Sequence, residues 1–196
     1  MSPAPLPRLV LPGLLALLGA ICPDPTLGAA AGAAPEDRIP PGWREFQIPA
    51  GRFKVLMPGV PKTSRQTIRT EIGNVASTRY TVTDSANVTY DVLFNDYPTA
   101  GVSKANPQKL LDGARDGLVY QTKGRIMEDK HITLAGFPGR DQVIVRGDGT
   151  HYRIRLVWAG SRLYQVMAVT PGEPRADAKI FFDSFRISSD RQEPAR

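Results

Sequence analysis

Apolar and polar residues alternate through most of residues 43–170, and this two-residue period constrains the fold more than any other feature of the chain. Successive side chains of a strand point to opposite faces, so the alternation predicts strands that bury one face. Segments rich in glycine, proline and aspartate separate them and predict tight turns. The predicted strands are residues 43–48, 52–57, 63–70, 75–83, 88–97, 125–134, 140–146, 150–158 and 163–170.

Two segments have a helical period instead. Asn106 and Pro107 form a helix start, with an N-cap side chain followed by proline at the first helical position. The helix should end near residue 123. Its buried face, and that of a second helix over residues 175–185, are predicted to be Leu110, Leu111, Ala114 and Leu118, and Ala178, Phe181, Phe182 and Phe185. The predicted fold class is α+β, an antiparallel sheet with two helices packed on it.

Residues 1–34 are predicted to be a signal peptide. Arg8 precedes an uncharged apolar run over residues 9–22, which is shorter than the roughly 20 residues of a bilayer span. Small residues follow this run and offer cleavage sites between Gly28 and Glu36. The alternative is an uncleaved N-terminal anchor. We interpret residues 35–42 as a proline-rich lead-in, residues 43–187 as a single domain and residues 188–196 as a flexible tail.

The single cysteine, Cys22, allows a second interpretation of the leader, as that of a bacterial lipoprotein. The residue before a lipidated cysteine is normally small, whereas Ile21 is large, so cleavage downstream is favoured. The cleaved chain then has no cysteine and can form neither a disulfide nor a thiolate nucleophile. We therefore expect an exported bacterial protein, periplasmic or secreted, with no transmembrane span after cleavage.

No motif of catalysis, metal binding or cofactor binding is present in the sequence. His131 and His151 lie on separate predicted strands, and no nucleophile elbow, Walker loop or dinucleotide fingerprint occurs. Alternation places Asp91 on the face opposite Asp84 and Asp96, so these acids are not expected to act as an acid–base pair. We predict no enzyme activity, no catalytic residue, no metal site and no cofactor.

The formal net charge of +6 means that basic residues outnumber acidic ones, so basic residues are the candidates for a binding site. In the strand 150–158, alternation places His151, Arg153 and Arg155 on one face, and Arg146 lies across the adjacent turn. The two arginines are two residue rises apart, about 7 Å, so both guanidinium groups could hold one anion. The alternative is an ordinary solvated face on which the arginines pair with acidic residues.

Three segments carry a resemblance to a known family. They are residues 43–61, which contain Phe-Lys-Val-Leu-Met-Pro-Gly-Val-Pro, residues 162–166 (Arg-Leu-Tyr-Gln-Val) and residues 181–186 (Phe-Phe-Asp-Ser-Phe-Arg). Together they resemble PsbP-like and DcrB-like secreted domains over residues 43–187. The resemblance implies an α/β/α sandwich around an antiparallel sheet and implies no catalytic residue.

Two hypotheses for function follow. The first is a non-enzymatic interaction module of the cell envelope or secretome with an unknown protein partner. The second is a binder of an anionic small molecule, lipid headgroup or polyanion through the basic sheet face. Nucleic acid is not an expected partner, since no motif of that class is present and export removes the chain from it.

Overall fold

The structure is a computed structural model that describes residues 39–188. The predicted signal peptide, half of the lead-in and nearly all of the predicted tail lie outside the described residues. The strands are β1 (Trp43–Ile48), β2 (Phe53–Pro58), β3 (Lys62–Thr70), β4 (Gly73–Thr83), β5 (Thr89–Asp96), β6 (Arg125–Leu134), β7 (Phe137–Val145), β8 (Thr150–Ala159), β9 (Arg162–Pro171) and β10 (Arg186–Ile187). The helices are α1 (Thr99–Val102), α2 (Pro107–Thr122) and α3 (Ala176–Ser184).

Seven strands form the main sheet, in the order β3-β4-β5-β9-β8-β7-β6, and every neighbouring pair is antiparallel. Strands β6 to β9 are consecutive hairpins, as the short turns between them predicted. The hairpin at residues 147–149 differs in detail from a two-residue type I′ turn, because only Gly149 has a positive φ, of 83°. Gly149 N–H donates to the Arg146 carbonyl, which closes a three-residue loop.

One face of the main sheet is covered by a second sheet, in the order β1-β2-β10, together with α3. Alternate residues of β2 point inward, so Phe53, Val55 and Met57 enter the core while Lys54 stays outside. Phe53 lies at the centre of this core and makes edge-on ring contacts with Tyr80, Phe94 and Tyr164. Phe181, Phe182 and Phe185 are fully buried beside it.

The opposite face is covered by α2, which lies over β7 and β8. The predicted helix start is confirmed, since the Asn106 side chain accepts a hydrogen bond of 2.8 Å from Gln108 N–H and Pro107 is the first helical residue. The helix ends at Thr122, and the C-cap residue that follows, Lys123, has a left-handed backbone with φ of 52°. Leu111, Ala114 and Leu118 are buried against the sheet, as the helical spacing predicted.

The predicted fold class, one antiparallel sheet with two helices packed on it as an α/β/α sandwich, is wrong. The described chain is 55% strand, in two sheets of seven and three strands, and its three helices are short. The reason lies in long-range pairing: β2 pairs with β1 and also with β10, more than a hundred residues away. Local alternation marks β1 and β2 as strands but cannot show that they leave the main sheet.

Candidate functional site

A groove lies between the main sheet and the first turn of α3, and it contains part of the site predicted from the sequence. Its volume is about 410 Å³, and Ala178 and Pro174 form the helix side. Its polar lining comes from β6, β7, β8 and β9, namely Glu128, Lys130, Asp141, His151, Arg153 and Thr170. Two of the four predicted site residues, His151 and Arg153, therefore line one groove.

The carboxylate of Asp141 lies where the sequence placed an external anion, next to both arginines. Arg155 donates to Asp141 Oδ2 from Nη2 at 2.7 Å and from Nε at 3.3 Å, while Arg153 Nε is 3.7 Å from Oδ1. Asp141 and Arg155 are directly paired across β7 and β8. The two guanidinium groups thus share a face, as predicted, and an acid of the protein's own sheet neutralises part of their charge.

Arg155 is also bound to α3. Its Nη1 donates to the Phe182 carbonyl at 2.9 Å, and the Phe182 ring lies below both guanidinium groups, 4.7 Å from Arg153 Cζ and 5.4 Å from Arg155 Cζ. The side chain of Arg155 is only 13% exposed, against 33% for Arg153. Arg155 therefore holds α3 on the sheet, and Arg153 is the more accessible of the two.

The other two predicted residues, His151 and Arg146, are held by the β7–β8 turn. His151 Nδ1 is 3.0 Å from the Gly149 carbonyl, which can only accept, so Nδ1 carries the proton. Arg146 forms an ion pair with Asp148, which lowers the pKa of that carboxyl well below its usual range through the hydrogen bonds from Arg146 and Thr150. Arg146 is bound at the turn and is not among the residues that line the groove.

The formal charges of the groove lining balance. Lys130 Nζ is 2.6 Å from Glu128 Oε2, and this hydrogen bond lowers the pKa of Glu128 and raises that of Lys130. Arg153 and Asp141 provide one further charge of each sign. A groove with two cations and two anions has little net attraction for an anion, which weakens the case for the predicted anion site without removing it.

A buried charge cluster on the opposite face of the same strands was not marked by any sequence motif. Arg140 of β7 is 5% exposed; its Nη1 donates to Asp129 Oδ2 at 2.7 Å and its Nη2 donates to Asp112 of α2. Arg115 of α2 lies 3.4 Å from the same Asp129 oxygen. The alternation of β7 could have indicated this burial from the sequence, because Arg140 lies on the same face of the strand as the fully buried Ile144. The cluster joins α2 to β6 and β7.

Asp91 is a buried acid on β5, outside the groove described above. It is 3% exposed, lies 3.2 Å from Arg79 Nε and accepts a hydrogen bond of 3.2 Å from the Thr81 hydroxyl. Burial raises the pKa of Asp91 to about 6, against the opposing effects of Arg79 and Thr81. Asp96 lies on the other face, because the strand runs without a bulge between them. The two acids are not brought together, as the alternation predicted.

A second groove, of about 560 Å³, lies at one end of the sheet sandwich and contains Arg162. Arg162 donates to both oxygens of Asp96, at 2.5 and 2.8 Å, and to the Ala50 carbonyl at 3.1 Å. Its guanidinium carbon lies 4.4 Å from the centre of the Phe94 ring. These contacts attach the β1–β2 turn to the main sheet, so this arginine serves the fold.

The β3–β4 hairpin differs from all of these sites. Lys62, Arg65 and Arg69 are exposed, and none of them has an ion pair or side-chain hydrogen bond with another residue of the range 39–188. Strand β3 contains no acid, and Ile68 and Thr70 are its only residues that are not exposed. Of the four exposed cations without an ion pair on the described main sheet, three therefore lie on β3, the fourth is Arg125 of β6, and none lies on β8.

No protein-family model and no curated protein matches the chain by sequence. A solved structure does match: cyanobacterial PsbP (CyanoP) from Synechocystis sp. PCC 6803 aligns with a TM-score of 0.50 over 80% of this chain and 98% of that chain, at 11% identity. The fold is PsbP-like. The predicted structural resemblance is confirmed on this point, and at such identity it concerns the fold alone. The DcrB-like part of the resemblance stays a prediction.

A protein of unknown function from Pseudomonas aeruginosa also aligns, with a TM-score of 0.30 and 8% identity over 65% of this chain and 82% of that chain. A PsbP-like fold carries no activity by itself, so the function must be argued from the sites. Within residues 39–188, no group of three or more histidine, cysteine or acidic side chains could hold a metal ion. In the same range, no helix is long and apolar enough to cross a membrane.

Proposed function

We propose that this PsbP-like domain acts by binding another protein, without catalysis, and that the β3–β4 hairpin is the contact surface. The observation that carries this proposal is the distribution of paired and unpaired cations. Arg140, Arg155 and Arg162 are each bound to acids and hold elements of the fold together. Lys62, Arg65 and Arg69 are exposed, have no ion pair or side-chain hydrogen bond and share one strand, whereas the other such cations of residues 39–188 are spread over different elements, namely Arg44, Lys104, Lys109, Lys123 and Arg125.

The low burial of β3 supports the same proposal. A nine-residue strand that buries almost no side chain contributes little apolar area to the core. Proteins usually shorten, bulge, cover or charge an edge strand, because an open edge pairs with other chains. Strand β3 is paired with β4 in continuous register along its whole length, and its three cations and lack of acids discourage pairing with like-charged strands. We interpret it as an edge that is closed to a second copy of itself and open to a partner of opposite charge, in an exported protein of the envelope or secretome.

Anion binding in the groove of Arg153 is the second candidate. What favours it is size, since 410 Å³ lies within the range of small-ligand pockets, and Lys130, His151 and Arg153 line it together. The balanced charges from Glu128 and Asp141 favour the first candidate. Retention on a phosphate matrix separates the two: a site in the groove requires that Arg153→Gln abolish salt-sensitive retention, while a site on the hairpin requires that it leave retention unchanged.

Site-specific crosslinking in the producing cells tests the protein-binding function. A photoreactive amino acid replaces Thr67 on β3, or Tyr120 on the exposed side of α2 as the comparison position. The proposal expects a defined protein adduct from residue 67 and a much weaker one from residue 120. The adduct should disappear when Arg65→Glu and Arg69→Glu are combined with the photoreactive residue.

The matched control is the pair Lys104→Glu and Lys109→Glu, which makes the same change of charge at two exposed lysines without ion pairs among residues 39–188. This control should keep the adduct. Equal loss in both double variants would mean that net charge alone matters, and an adduct insensitive to Arg65 and Arg69 would overturn the proposal. Circular dichroism confirms that each variant remains folded.

A further inference from the structure

The backbone of β3 offers a regular row of hydrogen-bonding groups on its outer side. Thr70 and Gly73 are paired directly across the two-residue turn, so they form the hydrogen-bonded pair that closes the hairpin. In an antiparallel ladder such pairs alternate with pairs whose N–H and C=O groups point away from the partner. The residues with outward-pointing groups are therefore Thr63, Arg65, Thr67 and Arg69. Among the described residues, β3 pairs with β4 alone.

The same four residues share one face of the strand, and two of them are arginines. The positive charge therefore lies beside the outward-pointing backbone groups. Arg65 and Arg69 stand four residues apart, about 13 Å along the strand, with Thr67 between them. A strand added antiparallel to β3 would place its side chains directly opposite these, with Cβ atoms about 5 Å apart. Two acidic residues four positions apart on the added strand would each face an arginine.

A second copy of this chain fits the edge poorly. Strand β3 has three cations and no acid, so pairing β3 with β3 brings like charges together across the new ladder. An acidic segment has the opposite charge and supplies the missing backbone partners at the same time. We propose that β3 accepts an extended acidic segment of a partner protein as an eighth, antiparallel strand of the main sheet. This inference rests on the proposed function.

Synthetic peptides and amide hydrogen exchange measured by NMR test the inference on the full folded domain. The probe is a short peptide of threonine and valine with two glutamates four residues apart. At saturating probe, the outward amides of Thr63, Arg65, Thr67 and Arg69 should exchange at least tenfold more slowly. The amides of Ser64, Gln66 and Ile68, which already bond to β4, should change much less.

Two N-methylated forms of the peptide provide a matched control with unchanged charge. Glutamates that face Arg65 and Arg69 lie in hydrogen-bonded pairs with them, so their own N–H groups point toward β3. N-methylation of the glutamates should abolish protection, whereas N-methylation of the residues beside them should preserve it. The charge-reversed variant Arg65→Glu/Arg69→Glu should no longer bind the acidic peptide. It should instead bind a peptide in which lysines replace the two glutamates.

Several outcomes would overturn strand addition. Protection that is equal for both methylated forms, or chemical-shift changes confined to arginine side chains, would mean contact through charge alone. Protection that rises with protein concentration in the absence of peptide would mean self-association. If crosslinking at residue 67 still depends on Arg65 and Arg69 while no amide is protected, the proposed function survives and the strand addition fails. If that crosslinking is absent, the proposed function itself fails.

Discussion

Asp141 of β7 accepts a hydrogen bond of 2.7 Å from Arg155 of β8, directly across the ladder that joins the two strands. The same arginine donates to the Phe182 carbonyl of α3. Arg155 thus joins three elements by hydrogen bonds, while Arg153, two residues away, lies over the Phe182 ring and has a longer ion pair of 3.7 Å with Asp141. Two arginines that are equivalent by alternation therefore have different roles.

The first prediction follows from that difference. Arg155→Gln should lower the free energy of unfolding by about 1–2 kcal/mol, because it leaves the Phe182 carbonyl and the half-buried Asp141 without their donor. Arg153→Gln should stay within about 0.5 kcal/mol, as for a surface substitution. Urea denaturation of both variants measures the two values, and equal effects would show that the arginines are interchangeable.

The second prediction concerns Arg140. Arg140→Leu should cost roughly 2–4 kcal/mol of unfolding free energy, because it leaves Asp129 partly buried with a single weaker partner, Arg115. Arg115→Leu should cost less, since Arg140 keeps both of its acids. Thermal and urea denaturation show which of the two substitutions lowers the free energy of unfolding more. A larger effect of Arg115→Leu would show that the helix arginine, and not the strand arginine, holds α2 in place.

The third prediction concerns pH and Asp91. Its pKa is raised to about 6 in the folded protein, above the value of about 4 in an unfolded chain, so the folded state binds its proton more tightly. Its contribution to stability is fully present below about pH 4 and is lost as the pH rises through about 6. The difference in unfolding free energy between wild type and Asp91→Asn should therefore fall between these pH values, by on the order of 3 kcal/mol.

Measuring that difference by urea denaturation at a series of pH values removes the contribution of the other titrating groups. Thr83→Ala, a change of an exposed hydroxyl on β4, serves as the control and should show no such slope. A difference that is flat between pH 4 and pH 7 would mean that Arg79 and Thr81 fully compensate the burial of Asp91, so that its pKa is the same in the folded and unfolded protein.

The fourth prediction concerns export. The mature protein should begin between Gly28 and Glu36 and carry no lipid, because small residues follow the apolar run and Ile21 precedes the cysteine. Intact mass and N-terminal sequencing of the protein from the extracytoplasmic fraction decide this. An intact Met1 would indicate an uncleaved anchor, and a lipid mass on Cys22 would indicate a lipoprotein.

Sequence alone determined the local structure well. The positions of nearly all strands, the start of α2 at Asn106 and Pro107, and the buried faces of α2 and α3 all follow from periodicity and capping, which depend on neighbouring residues. The shared face of Arg153 and Arg155 follows in the same way, from the alternation of a strand.

The tertiary structure decided which strands pair and which charges meet. The second sheet has three strands because β10, near the end of the described residues, pairs with β2. The local sequence pattern of neither strand shows this pairing. Asp141 neutralises part of the charge of the predicted anion site because the β7–β8 register sets it opposite Arg155, and Arg140 is buried because α2 lies over β7. The cations of β3 are free because that strand lies at the sheet edge, where no acid of a second neighbouring strand comes within reach. Pairing and burial depend on residues far apart in the chain, so only the folded arrangement separates a structural arginine from an exposed one.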